Sequence, residues 1–415
     1  MATEAKKSLL VYSHWNESAV LMGTLHSVQV RGKEVFSFEY DAGWLKSGNA
    51  QQLDPELGLY TGHQFLRDEK NNFGIFLDSS PDRWGRILMK RREAILATKE
   101  KRKEKTLFET DFLLGVYDSH RMGALRFKET ADGNFLNENN MATPPWASIA
   151  DLEHASLELE KEHNDPETLK WINMLLASGS SLGGVRPKAS VIDKQGNLWI
   201  AKFPSKDDKR DIGVWEMVVY EMAVMSGLRL PESKAQKFFS KQHTFLSKRF
   251  DRNKEKRIHF ASAMTLLGYT DGTNYQSGAT YLELVEFISR QGSNPAEDLE
   301  ELWKRIVFSI CVSNTDDHLR NHGFLLNEKG WSLSPAFDIN PNESGTGLSL
   351  NISENSNALD LDVAMSVIGY FRITERKGKE IIAATKEIVA DWNTIAESYH
   401  ISRPQQELMK SAFRY

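Results

Sequence analysis

The stretch between residues 302 and 338 constrains this chain of 415 residues more than any other. Residues 302–312 are mostly apolar and read as a helix. They run directly into Asn314-Thr315-Asp316-Asp317-His318-Leu319-Arg320-Asn321-His322-Gly323. A short strand follows at 324–326, then the turn Asn327-Glu328-Lys329-Gly330 and a second strand at 331–333. The segment closes on Ser334-Pro335-Ala336-Phe337-Asp338. Helix, polar loop, hairpin and terminal aspartate thus follow one another with little room between them.

That order suits phosphoryl transfer. The reaction needs a base or orienter beside the acceptor hydroxyl and oxygen ligands for Mg²⁺, a hard cation. Catalytic loops of kinases supply an Asp and, five residues on, a metal-binding Asn. Here Asp316 and Asn321 are five apart (321 − 316). A second metal carboxylate is expected after a short hairpin and behind an aromatic, and Asp338 after Phe337 meets that. Arg320 can bring positive charge to the transferring group, and His318 can brace the loop by hydrogen bonding. Asp317 is a rival base, but it stands four from Asn321. A metal-hydrolase reading of Asp316, His318 and His322 leaves the preceding half of the chain without a role.

That preceding half carries a second ordered series. Ser178-Gly179-Ser180-Ser181-Leu182-Gly183-Gly184 is a small-residue loop whose backbone N–H groups can approach phosphate oxygens. It is not a Walker loop, because no Gly-Lys-Ser/Thr follows. Residues 189–192 and 198–203 read as strands around the tight turn Asp193-Lys194-Gln195-Gly196-Asn197. Lys202 sits inside the second strand, where its ammonium needs water or a partner. The apolar spacing of Val214, Met217, Val218, Met222 and Met225 predicts a helix ended by Gly227. Glu216 lies in its first half, able to reach back to Lys202. Glycine loop, hairpin, strand lysine and helix glutamate follow in the order of a protein-kinase small lobe.

Upstream, strand-like runs at 9–12, 19–22 and 35–38, punctuated by Gly23 and Gly32, open the chain with a small β-rich module. A helix is expected over 81–98, with Ser80 as its cap and Pro81 at its first position. Arg86, Lys90, Arg91, Arg92, Lys99, Lys101, Arg102, Lys103 and Lys105 make this region basic, as a surface for an acidic partner or, more simply, as a solvated helix end. Residues 130–148 read as a linker and 150–175 as helical. The net charge of −5 argues against a surface built wholly for nucleic acid. One cysteine, Cys311, excludes an internal disulfide and a multi-cysteine zinc site. No apolar run is long enough for a signal peptide or membrane span, so a cytoplasmic protein without membrane contact is expected.

At these residues the chain resembles the HipA family, bacterial kinase toxins of toxin–antitoxin pairs. The matching stretches are Ser181-Leu182-Gly183-Gly184-Val185-Arg186-Pro187-Lys188, Ile200-Ala201-Lys202-Phe203-Pro204, Lys248-Arg249-Phe250-Asp251-Arg252, Thr315 through Asn321, and Pro335-Ala336-Phe337-Asp338. Ser80-Pro81-Asp82-Arg83, Gly115-Val116-Tyr117-Asp118 and Met122-Gly123-Ala124 carry it, more loosely, into the N-terminal part. The resemblance implies an α+β, two-lobed protein-kinase-like fold with an N-terminal β-rich subdomain and a helical C-terminal lobe.

It also implies roles. Ser181, Gly183, Gly184 and Lys202 would hold ATP phosphates, with Glu216 supporting the lysine. The backbone from Lys248 to Phe250 would meet adenine, and Asp251 would lie near the ribose. Asp316 would be the catalytic aspartate, with Asn321 and Asp338 ligating Mg²⁺. Family members can autophosphorylate a serine in the glycine loop, for which Ser181, Ser180 and Ser178 are candidates; the added charge would repel ATP phosphates. Two departures stand out: Asp317 occupies a place where glycine is common, stiffening the loop, and Lys248 replaces a glutamate. The family implies a protein substrate, often an aminoacyl-tRNA synthetase, and a HipB-like helix-turn-helix antitoxin through which alone DNA is met.

The sequence therefore predicts an ATP- and Mg²⁺-dependent Ser/Thr protein kinase. Its parts are expected at 1–105 (β-rich subdomain), 106–250 (remaining N-lobe) and 251–415 (helical C-lobe). A nucleotide-binding regulatory component with weak catalysis, or a small-molecule kinase on the same fold, are the alternatives.

Overall fold

Inward-facing residues alternate along the first strands. In β1 (Lys6–Ser13) Leu9 and Val11 are buried, and two strands on, Phe36, Phe38 and Tyr40 are buried while Ser37 and Glu39 lie on the opposite face. β2 (Val20–Val30) and β3 (Lys33–Tyr40) meet at Arg31-Gly32, both with positive φ (50° and 80°). That is the backbone a two-residue hairpin turn requires. β4 (Gln64–Phe65) and β5 (Leu125–Lys128) complete a five-stranded antiparallel sheet in the order β4-β3-β2-β1-β5. The computed structural model describes residues 6–67, 70–137, 144–161, 166–177, 184 and 186–415.

The chain divides into two units. The first comprises Met1–Lys206, Phe238–Ser240 and Asp251–Ala261; the second comprises Asp207–Lys237, Lys241–Phe250 and Ser262–Tyr415.

In the first unit the predicted basic helix runs Arg83–Lys99 and is capped by Asp82, whose carboxylate accepts from Gly85 N at 2.8 Å. The expected cap, Ser80, instead donates to Phe76 O at the end of the preceding helix Gly74–Asp78. A carboxylate two residues closer satisfies the orphan N–H better than a hydroxyl already engaged. Arg121 is fully buried and holds converging loops by donating to Ser79 O, Leu113 O, Val116 O and Leu136 O. Asp118 pairs with Arg126 and Arg257 beside it. Helices Ile149–Glu160 and Pro166–Ala177 occupy most of the span expected to be helical. β6 (Lys188–Ile192) and β7 (Leu198–Lys202) form the predicted hairpin. Asp193 builds its turn, accepting from Gln195 N, Asn197 N, Asn197 Nδ2 and Trp199 Nε1.

The second unit is mainly helical. Ile212–Met225 is capped by Asp211, and Gly227 follows it in the left-handed conformation (φ 74°). A hairpin, Ser233–Gln236 with Thr244–Lys248, precedes the helices Tyr281–Gln291 and Pro295–Cys311. Leu302, Trp303, Ile306, Val307, Phe308 and Ile310 are all buried, so Pro295–Cys311 is hydrophobic nearly all round in its second half and forms the core of this unit. Trp392 and Phe413 stack at 4.6 Å, close against Trp215, and fasten the C-terminal segment. The protein is α+β, as the sequence predicts. Among the described residues no helix is long and apolar enough to cross a membrane.

Candidate active site

The core helix Pro295–Cys311 delivers the polar loop, and a second layer of amides holds it. Past the helix Ser313 takes positive φ (49°) and turns the chain. Asn314 bonds Ser309 Oγ at 3.3 Å and accepts from Asn340 N at 3.2 Å. Thr315 accepts from Asn342 Nδ2 at 2.7 Å and, at its carbonyl, from Ser349 Oγ at 2.8 Å. Asp316 then opens to solvent at the loop surface. Its carbonyl accepts from Asn321 Nδ2 at 2.9 Å and from His318 N at 3.0 Å.

Asp338 reaches the same neighbourhood from beyond the hairpin Gly323–Asn327 with Gly330–Leu333. It has positive φ (59°), uncommon outside glycine, and its Oδ1 accepts from Asn340 Nδ2 at 3.0 Å. The Asp316 carboxyl is pushed above its usual range, first by partial burial and further by the charges of Asp338 and Asp317, against the opposing pull of His318. Asp316 and Asp338 therefore share one field. Phe337, next to Asp338, packs its ring 5.6 Å from that of Phe250.

Asp317 is buried, with one oxygen 2.5 Å from Tyr281 Oη and the other 3.0 Å from His322 Nε2. Burial alone would raise its pKa, but His322, the Tyr281 bond and His318 outweigh it and hold the carboxyl below the ordinary value. Both oxygens are committed, so Asp317 is an anchor for the loop, and the rival base assignment gives way. The Tyr281 hydroxyl is correspondingly pushed far up, by burial and then by the Asp317 charge. His322 is buried edge-on to Tyr281, its ring centroid 5.5 Å away. Among the described residues Asp316, His318 and His322 do not converge on a metal position.

His318 braces the loop through its backbone, with its N–H on Asp316 O and its carbonyl accepting from Asn321 N at 2.8 Å. Its Nδ1 has no hydrogen-bond partner among the described residues. Arg320 lies 3.4 Å from Asp271, in a largely exposed contact of little strength.

The residues expected to meet a nucleotide are distributed between the units. Ser178, Ser180, Ser181 and Gly183 lie outside the described residues, whereas Gly184 has a φ of 89° that favours glycine. Lys202 ends β7 in the first unit, half-buried and in register with Lys188. Glu216 is buried in the helix Ile212–Met225 of the second unit. Lys248 lies in the second unit too, its Nζ 3.4 Å from Glu232 and its N–H on Glu232 O at 2.8 Å. Phe250 is that segment's last residue before the chain returns to the first unit. Asp251 differs from expectation. It is fully buried, and its Oδ2 accepts from Gly123 N at 2.8 Å and from Arg252 at 2.5 Å, which leaves no exposed carboxylate for a ribose.

One element the sequence reading passed over is a buried ion pair just after the glycine loop. Lys188 lies 3.1 Å from Asp82, with only 4% and 0% of the two side chains exposed. The signal was present in the motif containing Asp82, but sequence spacing does not reveal a partner 106 residues away (188 − 82). The basic stretch proves largely self-satisfied. Arg86 is bidentate to Glu109, Arg92 bonds Asn173, Arg102 bonds Glu93 and Glu100, and Lys105 meets Asp111. That favours a solvated helix end over a docking surface for nucleic acid.

Two units, the helical one carrying an Asp–Asn loop and a following aspartate, define an α+β protein with a candidate active-site loop. The HipA-like C-terminal domain matches residues 180–392, more than half of the chain, and the chain belongs to that family. A solved HipA of Shewanella oneidensis, in complex with HipB and operator DNA, superposes with a TM-score of 0.67 at 14% identity. The match covers 98% of this chain and 97% of that one, and it is a likeness of fold. A protein of Haemophilus influenzae named as a kinase by inference is 26% identical over 181 residues, 39% of this chain and 52% of its own length. Y4mE of Sinorhizobium fredii, named in the same way, is 26% identical over 148 residues, 34% of this chain and 33% of its own length. The chain thus spans between a third and about half of these curated relatives.

Proposed function

We propose that this protein is an ATP-dependent serine/threonine protein kinase of the HipA toxin type. The observation that carries the reading is the Asp316 loop itself, closed by Asn321 Nδ2 on the Asp316 carbonyl at 2.9 Å, with Asp338 near enough to act on the Asp316 carboxyl. A solvent-open carboxylate has its proton affinity raised by burial and by a second carboxylate, and the loop around it is tied closed by Asn321.

Asp316 would accept the hydroxyl proton of the acceptor as that oxygen attacks the γ-phosphorus. The donor set suits Mg²⁺, because Asp338 and the Asn321 amide oxygen are hard ligands and a cation there relieves the repulsion between neighbouring carboxylates. When bound, the ion would neutralise charge on the phosphates. Lys202 would pair with those phosphates, and Glu216 would orient Lys202. Arg320, only weakly held by Asp271, would be available to the transferring group. The backbone from Lys248 to Phe250 would meet adenine, while Asp251 fixes the adjoining segment. Self-silencing at Ser181, Ser180 or Ser178, an aminoacyl-tRNA synthetase as acceptor, and a HipB-like helix-turn-helix partner that alone contacts DNA belong to the same reading. The HipB-bound Shewanella relative supports the last of these.

Transfer of label from γ-labelled ATP to protein tests the chemistry. Asp316→Ala and Asp338→Ala should each abolish it, in protein that still folds by circular dichroism. Near-normal turnover in either variant would remove the assignment.

A further inference from the structure

The solvent face of the N-terminal sheet carries a group that the kinase reading does not use. Ser8 and His26 are cross-strand partners, and His26 is in turn opposite Ser37, two residues from Glu39. His63 immediately precedes Gln64, which pairs with Phe38, so by continuation of the register it stands beside Glu39. Period-two geometry puts all four side chains on one face. His26 and His63 approach to 5.1 Å between ring centroids, and His63 Nε2 lies 3.7 Å from Glu39 Oε2. One donor atom from each of His26, Glu39 and His63 lies within 4.8 Å of the other two. Ser8 Oγ is 2.8 Å from His26 Nδ1, which leaves Nε2 as that ring's ligand atom.

We propose that His26, Glu39 and His63 form a binding site for a divalent transition-metal ion of the zinc class, with an open fourth position. Two imidazole nitrogens and one carboxylate are the donor set such ions prefer. Donors about 2.0–2.2 Å from a tetrahedral ion stand roughly 3.3–3.5 Å apart. The His63–Glu39 separation is already near that, at a spacing too long for a hydrogen bond. His63 and Glu39 are about half exposed, at 48% and 44%, which leaves their side chains room to rotate toward an ion. The Ser8 contact plays the orienting part that outer partners of metal-bound histidines play. The exposed fourth position is open to water or to a donor from another molecule.

Titration of the full, chelator-treated chain with Co²⁺ in excess Mg²⁺ tests this, because Mg²⁺ occupies the oxygen-rich kinase loop. The expected result is the visible absorption of tetrahedral Co²⁺, saturating at one equivalent and displaced by Zn²⁺. His26→Ala and His63→Ala should each weaken binding at least tenfold, and Ser8→Ala by about tenfold. Both histidines lie outside the core, so the variants should retain wild-type unfolding. No tetrahedral spectrum, or one that persists in the double histidine variant, would overturn the proposal.

Discussion

Asn321 donates its side-chain amide to the backbone carbonyl of Asp316 across 2.9 Å, so the residue proposed to hold the metal also closes the loop that presents the proposed base. The two functions use different atoms, the Nδ2 donor and the Oδ1 ligand. Asn321→Asp keeps an oxygen for the metal but sets a carboxylate against a carbonyl. Asn321→Ala loses both. Both should lower phosphate transfer at least tenfold. A Mg²⁺ titration separates them: only the aspartate variant should recover part of its rate at high Mg²⁺.

Lys202 should behave as a phosphate ligand. Lys202→Ala is expected to reduce ATP turnover by at least an order of magnitude, through loss of a charge-assisted contact. Lys202→Arg should not restore it, because a planar fork does not replace a compact ammonium at the end of β7. Steady-state kinetics over a range of ATP concentrations checks both.

The loop anchor gives a stability prediction. Tyr281→Phe removes the hydrogen bond to the buried Asp317 carboxylate and should cost about 2 kcal/mol. Asp317→Ala leaves a buried histidine and hydroxyl without their acceptor and should cost more, about 3 kcal/mol or above. Urea unfolding measures both. Asp317→Gly, which replaces the departure noted in the sequence with the commoner residue, should likewise destabilise, because here the side chain is a structural tie.

What was legible in the sequence, and what was not, divides along local and non-local lines. Strand alternation around Phe36 and Phe38, the Asp193 turn, the helix ended by Gly227 and the loop-hairpin order from Asn314 to Asp338 all rest on neighbours in the chain. Partners fixed by tertiary folding were not readable. Asp317 looked like a rival base because nothing near it in sequence marks Tyr281 as its neighbour, and the burial of Asp251 against Gly123, 128 residues away, leaves no mark in the sequence around either. The helix cap moved from Ser80 to Asp82 for a local reason instead: the Ser80 hydroxyl was already taken by Phe76 O, four residues back in the preceding helix.

Asp82 does two jobs that substitution can separate. It caps the helix Arg83–Lys99 and faces the buried Lys188. Asp82→Asn keeps a good cap but removes the charge, and should cost about 3 kcal/mol because a buried ammonium loses its carboxylate. Asp82→Ala should cost about 1 kcal/mol more, the ordinary value of the cap. The difference between the two variants, measured by denaturant unfolding under identical conditions, tests the division.

His259 should make the protein acid-sensitive. It is buried beside Trp15, ring centroids 5.2 Å apart, and burial pushes its pKa down to about 3 from an ordinary 6.5. Above 6.5 neither state is protonated there, and no charge has to be buried. Below 6.5 the unfolded chain takes up a proton that the folded chain refuses until about pH 3. The contribution of this group to stability is therefore present at neutral pH and lost as pH falls, at up to about 1.4 kcal/mol per pH unit. Between pH 7 and 5 the loss should reach about 2 kcal/mol. His259→Asn, which carries no titrating group, should be destabilised at pH 7 yet should lack that share of the slope. Unfolding free energies of both proteins across this range decide the matter: parallel pH profiles would show that His259 is not the group responsible.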